Sequence, residues 1–364
     1  MARVLYMPST PLNVLVSAAL ANARRETDQA ELWLIDQKQL ENNPYLQALQ
    51  NWPQSPFKQI RILPGKAKGR AKLAERKANF GAISQGLKLF QPDVIAVGSD
   101  RRIEFQYAMH QLKKHQPVAQ GWYLDDGLYS YAGRPHHAIK DGINSFIKKL
   151  SYGLWWQEPK TVGASNWINQ AWLFQPQQAV ELLKRKPMHK LESNWFSAPE
   201  VQSLSQAVTN QFDLKAGDLS QINYVIIISH PNNQLKMKDY ARRIKRFVMQ
   251  LSAQGKRIAL KYHPRQEGED ALDLAESDLV MLIPSRLAFE FVLPLLPSGA
   301  MVLGDVGSVL LTTKWLREDL EPIAVLDDND PFQQKFESIF RLNKINIYKN
   351  YDFLQSQMLG ETVG

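Results

Sequence analysis

The sequence contains no cysteine in its 364 residues. This absence excludes disulfide scaffolds, thiolate nucleophiles, cysteine-ligated zinc and iron–sulfur clusters, and it fits a reducing compartment. Long hydrophobic runs are lacking as well, because nowhere do about 18 apolar residues follow one another as a membrane-spanning helix requires. The first apolar run, residues 4–7, ends at Pro8 and is too short for a secretory signal. We therefore expect any membrane contact to be peripheral.

Positive charge exceeds negative charge, with 44 Lys and Arg against 36 Asp and Glu and a formal net charge of +8. The balance favours an acidic partner such as nucleic acid, anionic lipid or an anionic sugar. A hydrophobic share of 44% and a charged share of 22% are typical of a packed globular protein. At roughly 100–200 residues per domain, the length favours two domains.

The first half of the chain alternates short apolar runs with longer amphipathic segments. Strands separated by helical segments of about 10–15 residues indicate βαβ units and a parallel sheet. We place this α/β domain at residues 1–160. It is predicted to contain strands at 4–7, 31–35, 59–63, 94–98 and 117–124, and helices near 11–25, 77–90 and 103–114.

The second half begins differently, with tryptophan and proline crowded together and no clear period. We interpret residues 161–220 as a connecting region with short helices and residues 221–335 as a second α/β domain. We expect residues 336–364 to form C-terminal helices that pack across both domains. The second domain is predicted to contain strands at 225–228, 257–262, 279–283 and 300–304, and helices at 238–254 and 286–293.

Asp125-Asp126-Gly127 directly follows a predicted strand, where parallel sheets place their active sites. Two adjacent carboxylates repel each other, so the pKa of one can rise and give a base that works near neutral pH. The alternative is an Asp-Gly turn with no chemical role.

Two further stretches follow strands of the second domain. His263, flanked by Lys261 and Arg265, could donate a hydrogen bond to a phosphate while the cations add charge stabilisation. Gly307 and Ser308 could bind a phosphate at the start of a helix. The alternatives are a histidine satisfied by the backbone and an ordinary helix cap at Ser308.

Taken in this order, the motifs resemble bacterial sialyltransferases of GT-B type. That family carries an acidic-acidic-Gly motif, a His-Pro motif like His263-Pro264, and then a hydroxyl-rich phosphate turn. The segment Ser9-Thr10-Pro11 is similar to the opening of the lipooligosaccharide sialyltransferase and polysialyltransferase families. Asn13 stands where those families carry glutamine, and a single serine follows Gly307, so the subfamily is open.

The resemblance implies two Rossmann-like α/β domains in a GT-B arrangement with a C-terminal helical tail. The implied reaction is inverting transfer of sialic acid from CMP-sialic acid to a glycan hydroxyl of a bacterial lipooligosaccharide or capsule. Asp126 would be the base and Asp125 would orient it, with Asp239 as a competing base. His263 would protonate or hydrogen-bond the departing phosphate.

The same resemblance assigns the binding residues. No metal or other cofactor is implied, because histidine, lysine and hydroxyl groups replace a divalent cation. The donor set is His263, Pro264, Lys261, Glu290, Ser308, Gly307 and Ser285, and the acceptor set is Thr10, Pro11, Asn13, Gly98, Ser99 and Gly127.

The expected partners are a CMP-sugar donor and an anionic or galactose-containing glycan acceptor, and not nucleic acid. We expect a cytoplasmic protein that is either free or peripheral at the inner face of the bacterial inner membrane, through basic residues such as those at 66–77. A homodimer is left open.

Three alternatives stay open at this point. The donor could carry another CMP-linked ulosonic acid of Kdo or legionaminic type. The chain could be a nucleotide-sugar epimerase on the same architecture, with a UDP donor. It could also be a basic nucleic-acid-binding protein, although no helix-turn-helix, RRM or zinc pattern is present.

Three other polar stretches attract attention. His230-Pro231 is a second His-Pro pair, which could line the cleft implied by the GT-B arrangement. His136 and His137 are interpreted as an acceptor contact or plain surface. We interpret residues 327–330 as a loop and helix cap rather than a metal site.

Overall fold

The computed structural model describes residues 1–134 and 138–358, and the chain divides into two compact units, 1–207 and 208–364. Each unit contains one sheet in which every pairing is parallel, with helices between the strands. The predicted class, two α/β domains, is confirmed.

Strands and helices alternate along most of the first unit. Its strands are β1 (Ala2–Tyr6), β2 (Asp28–Gln37), β3 (Phe57–Pro64), β4 (Val94–Val97), β5 (Gln120–Leu124), β6 (Gln170–Leu173) and β7 (Met188–Lys190). Its helices are α1 (Pro11–Ala23), α2 (Pro44–Gln50), α3 (Gly69–Phe90), α4 (Ile103–His115), α5 (Tyr129–Ala132), α6 (Ala138–Tyr152), α7 (Glu181–Lys184), α8 (Ser193–Phe196) and α9 (Pro199–Asn210), the last running across the boundary.

The second unit repeats this alternation with shorter elements. Its strands are β8 (Tyr224–Ile227), β9 (Ile258–Lys261), β10 (Val280–Ile283), β11 (Met301–Gly304), β12 (Glu321–Val325) and β13 (Asn346–Tyr348). Its helices are α10 (Ala216–Leu219), α11 (Pro231–Gln234), α12 (Tyr240–Ala253), α13 (Val309–Leu316), α14 (Pro331–Gln334), α15 (Glu337–Leu342) and α16 (Tyr351–Met358).

The two sheets share one strand order. The first runs β3-β2-β1-β4-β5-β6-β7 and the second runs β10-β9-β8-β11-β12-β13. In each sheet the winding direction reverses once, between β1 and β4 in the first unit and between β8 and β11 in the second. Open parallel sheets bind ligands beyond the carboxyl ends of the strands at such a switch point. The topology therefore marks one candidate site in each unit.

Continuous apolar runs form the central strands because both faces of each sheet are covered. Val4, Leu5 and Tyr6 of β1 are fully buried, as are Ile258 and Leu260 of β9. Helix α1 follows β1 closely. It begins at the N-cap Thr10, whose hydroxyl accepts a hydrogen bond from the backbone N–H of Asn13 at 3.3 Å.

The region at 161–220, expected to be a helical connection, contributes two strands to the first sheet. β6 pairs with β5, and the short β7 extends the sheet to its edge. Each strand has at most four residues, so the surrounding tryptophan and proline mask the alternation on which a strand prediction depends.

Three helix predictions differ from the structure. Helix α3 begins at Gly69 rather than at residue 77, since its first two turns are mostly exposed and basic and carry no apolar period. The segment predicted as a helix at 286–293 forms only 3₁₀ turns, Phe289–Phe291 and Leu293–Leu295. The C-terminal region contains the strand β13 between its helices, and α16 packs on α12 through the rings of Tyr351 and Phe247, 5.1 Å apart.

Candidate functional site

The beginning of helix α1 and the loops after β4 and β5 meet at the carboxyl edge of the first sheet. The side-chain amide of Asn13 donates to Asp126 Oδ1 at 2.8 Å. A Cβ added at Gly98 would lie 2.1 Å from Asn13 Nδ2, so the absence of a side chain at residue 98 makes room for this amide. The structure thus brings together Asn13, Gly98 and Asp126, three of the residues predicted from the sequence.

The carboxylate of Asp125 is fully buried and fixes the turn. It accepts hydrogen bonds from the backbone N–H of Gly127 at 3.0 Å, from Ser130 Oγ at 2.7 Å and from the backbone N–H of Phe174 at 3.0 Å. The Tyr131 hydroxyl donates a fourth bond. Burial raises the pKa of Asp125, and these donors oppose the rise because they stabilise the ionised form. Asp125 therefore faces the protein interior rather than a ligand.

The carboxylate of Asp126 differs from that of Asp125 because it is half-buried and accepts few hydrogen bonds. Burial raises the pKa of its carboxyl to about 6. The hydrogen bond from Asn13 and the charge of Arg102 oppose this rise, while the charge of Asp125 adds to it. The two adjacent carboxyl groups are thereby separated into a structural one and one that titrates near neutral pH.

A cavity of about 370 Å³ opens beside Asp126. Asp126 is the acidic residue of its lining, whereas the basic side chains of the lining are Arg101, Arg102, Arg134 and Lys148. The cavity is therefore predominantly cationic.

The buried carboxylate of Glu158 and the half-buried carboxylate of Asp36 hold these cations in place. Glu158 accepts from Arg101 Nε at 2.9 Å and from Lys148 Nζ at 3.2 Å, and Arg134 lies 3.5 Å from it. Arg102 pairs with Asp36. Arg134 also pairs with Asp141 at 3.1 Å, so three cations share two carboxylates and one positive charge is left unbalanced.

The other predicted acceptor residues lie around the same strand ends. Thr10 and Pro11 begin α1, and Ser99 lines the cavity. Gly127 has φ +97°, a conformation that favours glycine, and the space at its missing Cβ is open. Asp100, which follows Ser99, is fully buried and accepts from the backbone N–H groups of Gly163 and Ser165, at 2.9 and 2.8 Å.

Two histidines lie together at the carboxyl edge of the second sheet. His230 comes shortly after β8 and His263 shortly after β9, and their ring centroids are 4.5 Å apart. The backbone N–H of Arg265 donates to His263 Nδ1 at 3.1 Å, and that of Asn232 donates to His230 Nδ1 at 3.0 Å. These bonds assign the proton of each neutral ring to Nε2. Burial, followed by the charges of His230, Arg265 and Lys261, lowers the pKa of His263.

Lys261 is engaged within its own unit. Its ammonium group donates to the backbone carbonyls of Ser285, Pro284 and Tyr262, at 2.7, 3.2 and 3.2 Å. Burial lowers the pKa of Lys261 to about 8, and the charge of the half-buried Glu290 opposes this shift. Lys261 thus ties the loop after β10, which carries the predicted donor residues Ser285 and Glu290, to the end of β9.

The strand β11 ends next to β8, and its loop carries another buried acid. Ser229 Oγ donates to Asp305 Oδ1 at 2.9 Å, and burial raises the pKa of Asp305 to about 7. Gly307 follows with φ +148° and open space at its missing Cβ. Ser308 is the residue before α13, and its exposed hydroxyl makes no capping hydrogen bond.

The competing base Asp239 lies elsewhere in the second unit. It precedes α12 with φ +54°, its side chain is exposed, and it pairs with Arg242 at 2.8 Å. Pro264 directly follows His263, whereas His136 and His137 lie outside the described residues. Asp330 caps α14, which confirms the loop-and-cap interpretation of residues 327–330.

Sequence reasoning gave no role to Asp305 or to the cations of the cavity, and it did not place His230 beside His263. The sequence does contain a signal that His230 and His263 lie close together, because a His-Pro pair follows each of two consecutive strands. Arg101, Arg134 and Lys148 are scattered over some fifty residues, and only the structure shows that all three lie close to Glu158.

The part of the chain that the structure describes contains neither a metal-binding cluster nor a membrane-spanning helix. No group of three or more His, Cys, Asp or Glu side chains there is arranged to hold a metal ion. No helix in the same residues combines the length and hydrophobicity needed to cross a membrane.

Comparison with known proteins places this fold. No protein-family model and no curated protein matches the sequence. The UDP-GlcNAc 2-epimerase of Methanocaldococcus jannaschii aligns with a TM-score of 0.57 at 12% identity, over 99% of this chain and 92% of that one. An α/β-galactoside α-2,3-sialyltransferase from Photobacterium phosphoreum aligns with a TM-score of 0.57 at 12% identity, over 95% of this chain and 98% of that one.

A third similar structure is described as a GT-B domain. The GT-B domain of a sialyltransferase from Photobacterium damselae aligns with a TM-score of 0.53 at 13% identity, over 96% of this chain and all of that one. Identities this low establish the fold and nothing further. The chain therefore has the GT-B fold predicted from its sequence.

Replacing Asn13 with alanine is expected to raise the pKa of Asp126 further. The change removes the amide that stabilises the ionised carboxylate, while burial of Asp126 persists. Carboxyl chemical shifts of ¹³C-labelled aspartate, followed against pH and assigned with Asp126→Asn, measure this pKa.

Ser17→Ala is the matched control, since Ser17 is buried in the same helix and its hydroxyl has no hydrogen-bond partner among the described residues. An unchanged or lower Asp126 pKa in Asn13→Ala would contradict the assigned contact.

Proposed function

We propose that the protein is an inverting glycosyltransferase that moves sialic acid from CMP-sialic acid to a glycan hydroxyl of a bacterial surface polysaccharide. The observation that carries the proposal is Asp126, a carboxyl group with a pKa of about 6 that borders a cavity at the switch-point edge of its sheet. A general base is most effective when its pKa lies near the working pH. The GT-B fold and the sialyltransferase motifs support the choice of reaction.

In the proposed step, the Asp126 carboxylate takes the proton of an acceptor hydroxyl. The hydroxyl oxygen forms a bond to the anomeric carbon of the sugar from the face opposite CMP. The bond from that carbon to the phosphate oxygen breaks, and CMP leaves with the electron pair, so the configuration inverts. Asp126 ends protonated and releases its proton to water.

Three features of the second unit suit it to the leaving phosphate. The Nδ1 atom of His263 is occupied by the backbone, which leaves Nε2–H as its donor. The lowered pKa of His263 makes a neutral hydrogen-bond donor the dominant form at pH 7. Ser308 offers an exposed hydroxyl at the start of the eight-residue helix α13, where the helix dipole favours negative charge.

The remaining donor residues receive different roles. We assign Glu290 to the ribose hydroxyls, as the family resemblance implies. Lys261 becomes a positioning residue for the loop that carries Ser285, because its ammonium protons have backbone acceptors. No metal is included in this proposal.

The environment of the two candidate bases favours Asp126 over Asp239. Asp239 is exposed, pairs with an exposed arginine and does not line the cavity beside Asp126. Asp126 is desolvated, which increases its basicity.

The cationic cavity supports an anionic acceptor, such as a glycan that already carries a sialic acid carboxylate. Arginine and lysine side chains form charge-assisted hydrogen bonds to carboxylates, and partial burial strengthens them. A neutral galactose-containing acceptor would make no use of the excess positive charge of this lining.

The same assays can identify two other classes of donor. A CMP-linked ulosonic acid of Kdo or legionaminic type would use the same residues in the same roles. The epimerase that aligns with this chain is named for UDP-GlcNAc, so UDP-GlcNAc must be included among the substrates tested.

Replacing Asp126 with asparagine is expected to reduce transfer from CMP-sialic acid by about a thousandfold or more, in the range of general-base contributions. Wild-type kcat/KM should fall below pH 6, by roughly tenfold at pH 5, because Asp126 must be ionised to accept a proton. Coupled detection of released CMP measures both effects.

Asp239→Asn is the control and should retain most of the wild-type activity. If the Asp239→Asn variant were inactive and the Asp126→Asn variant active, the base would be Asp239, and the assignment to Asp126 would be wrong.

Replacing Lys148 with glutamine is expected to raise KM for a sialylated acceptor on the order of five- to tenfold, as loss of one charged contact does. KM for an uncharged lactoside should change little. Lys149→Gln provides the control, because Lys149 is exposed and does not line the cavity beside Asp126. Equal effects of Lys148→Gln on both acceptors would contradict the role of the cavity.

A further inference from the structure

Helix α6 turns its apolar face outward. Ile143, Phe146, Ile147 and Leu150 recur at intervals of three or four residues and share one face, and each is between 53% and 73% exposed. A surface helix of a globular protein normally buries such a face. Contiguous exposed apolar area of this kind marks an interaction surface.

The opposite face of α6 is polar and is held against the first unit by buried ion pairs. Asp141 is 5% exposed and accepts from Arg134 at 3.1 Å. Two turns further along the helix, Lys148 donates a hydrogen bond to Glu158. The helix is therefore anchored by charge, and its outward apolar face is a consequence of specific contacts rather than of loose packing.

Another exposed apolar side chain, Leu154, follows the end of α6. Leu154 is 87% exposed and borders a cavity of about 520 Å³, whose lining also contains Lys149 and Lys160. Among the described side chains at 141–160, these two lysines carry the exposed charge, whereas Asp141 is buried and the Glu158 carboxylate is 6% exposed. The rim of the apolar face is thus positive.

A second group of cations belongs to the neighbouring helix. The ring of Phe80 in α3 lies 6.0 Å from the ring of Tyr152 and 5.9 Å from that of Trp155, so α3 packs beside the end of α6. The beginning of α3 and the residues before it expose five cations, which are Lys66, Lys68, Arg70, Lys72 and Lys77.

We propose that the outward face of α6, defined by Ile143, Phe146, Ile147, Leu150 and Leu154, docks on an anionic lipid bilayer. An interfacial helix buries its apolar side chains at the level of the acyl chains while nearby lysines contact lipid phosphates. Charge complementarity selects this occupant. A second copy of the chain, paired about a twofold axis, would bring one positive rim against another.

The test is co-sedimentation of the full chain with vesicles of phosphatidylcholine containing about one-third phosphatidylglycerol. The double variant Phe146→Glu/Leu150→Glu should lower the partition coefficient by about tenfold or more, because two exposed apolar side chains no longer enter the bilayer and two negative charges meet anionic lipid. Both residues are exposed, so unfolding temperatures should stay near that of the wild type.

Leu89→Glu is the matched control. Leu89 is 72% exposed on α3 in the same unit, and its substitution should leave binding unchanged. The wild type should bind vesicles of pure phosphatidylcholine more weakly than the anionic vesicles.

Equal binding of the double variant and the wild type to anionic vesicles would overturn the proposal, as would equal binding of the wild type to both vesicle types. A dimer in light scattering that the double variant dissociates, without vesicle binding by the wild type, would assign the face to a second copy instead. Activity assays with short soluble acceptors should be unaffected by the double variant, which separates this proposal from the enzymatic one.

Discussion

The first site depends on one buried carboxylate, that of Asp125. Its four hydrogen bonds join the turn after β5 to helix α5 and to the end of β6. A buried charge without these donors would be strongly unfavourable, so the turn has little freedom to adopt another conformation. That rigidity directs the neighbouring Asp126 towards Asn13. Asp125 stabilises the turn, and Asp126 has a pKa suited to proton transfer.

The shared strand order explains why both candidate sites lie where they do. In each unit, polar side chains follow the strands at the switch point, and the chain between them is long. Asn13 and Asp126 are 113 residues apart in sequence, yet they are hydrogen-bonded. Ser229 and Asp305 are 76 residues apart and are hydrogen-bonded as well. The parallel topology creates these contacts because it collects all strand ends at one edge.

The α/β class, the Asp125-Asp126-Gly127 motif and the His263-Pro264 motif could be predicted from the sequence, because apolar runs and turn residues are local signals. The sequence did not reveal β6 and β7, whose short alternation is hidden among tryptophans, or the start of α3, which is mostly exposed and basic. It also did not reveal the ring contact of His230 with His263 or the backbone acceptors of Lys261, since these are tertiary contacts. Arg101, Arg134 and Lys148 meet at Glu158 because α6 turns its polar face inward, which is the opposite of what its apolar periodicity predicts.

The central claim is that this GT-B protein transfers a CMP-linked sugar with inversion. The most direct measurement is NMR of the purified chain with CMP-sialic acid and a sialylated lactoside, with no added metal. We predict release of CMP and formation of a glycoside whose anomeric configuration is opposite to that of the donor. Retention of configuration, or no reaction with any CMP-sugar while UDP-GlcNAc is epimerised, would contradict the account.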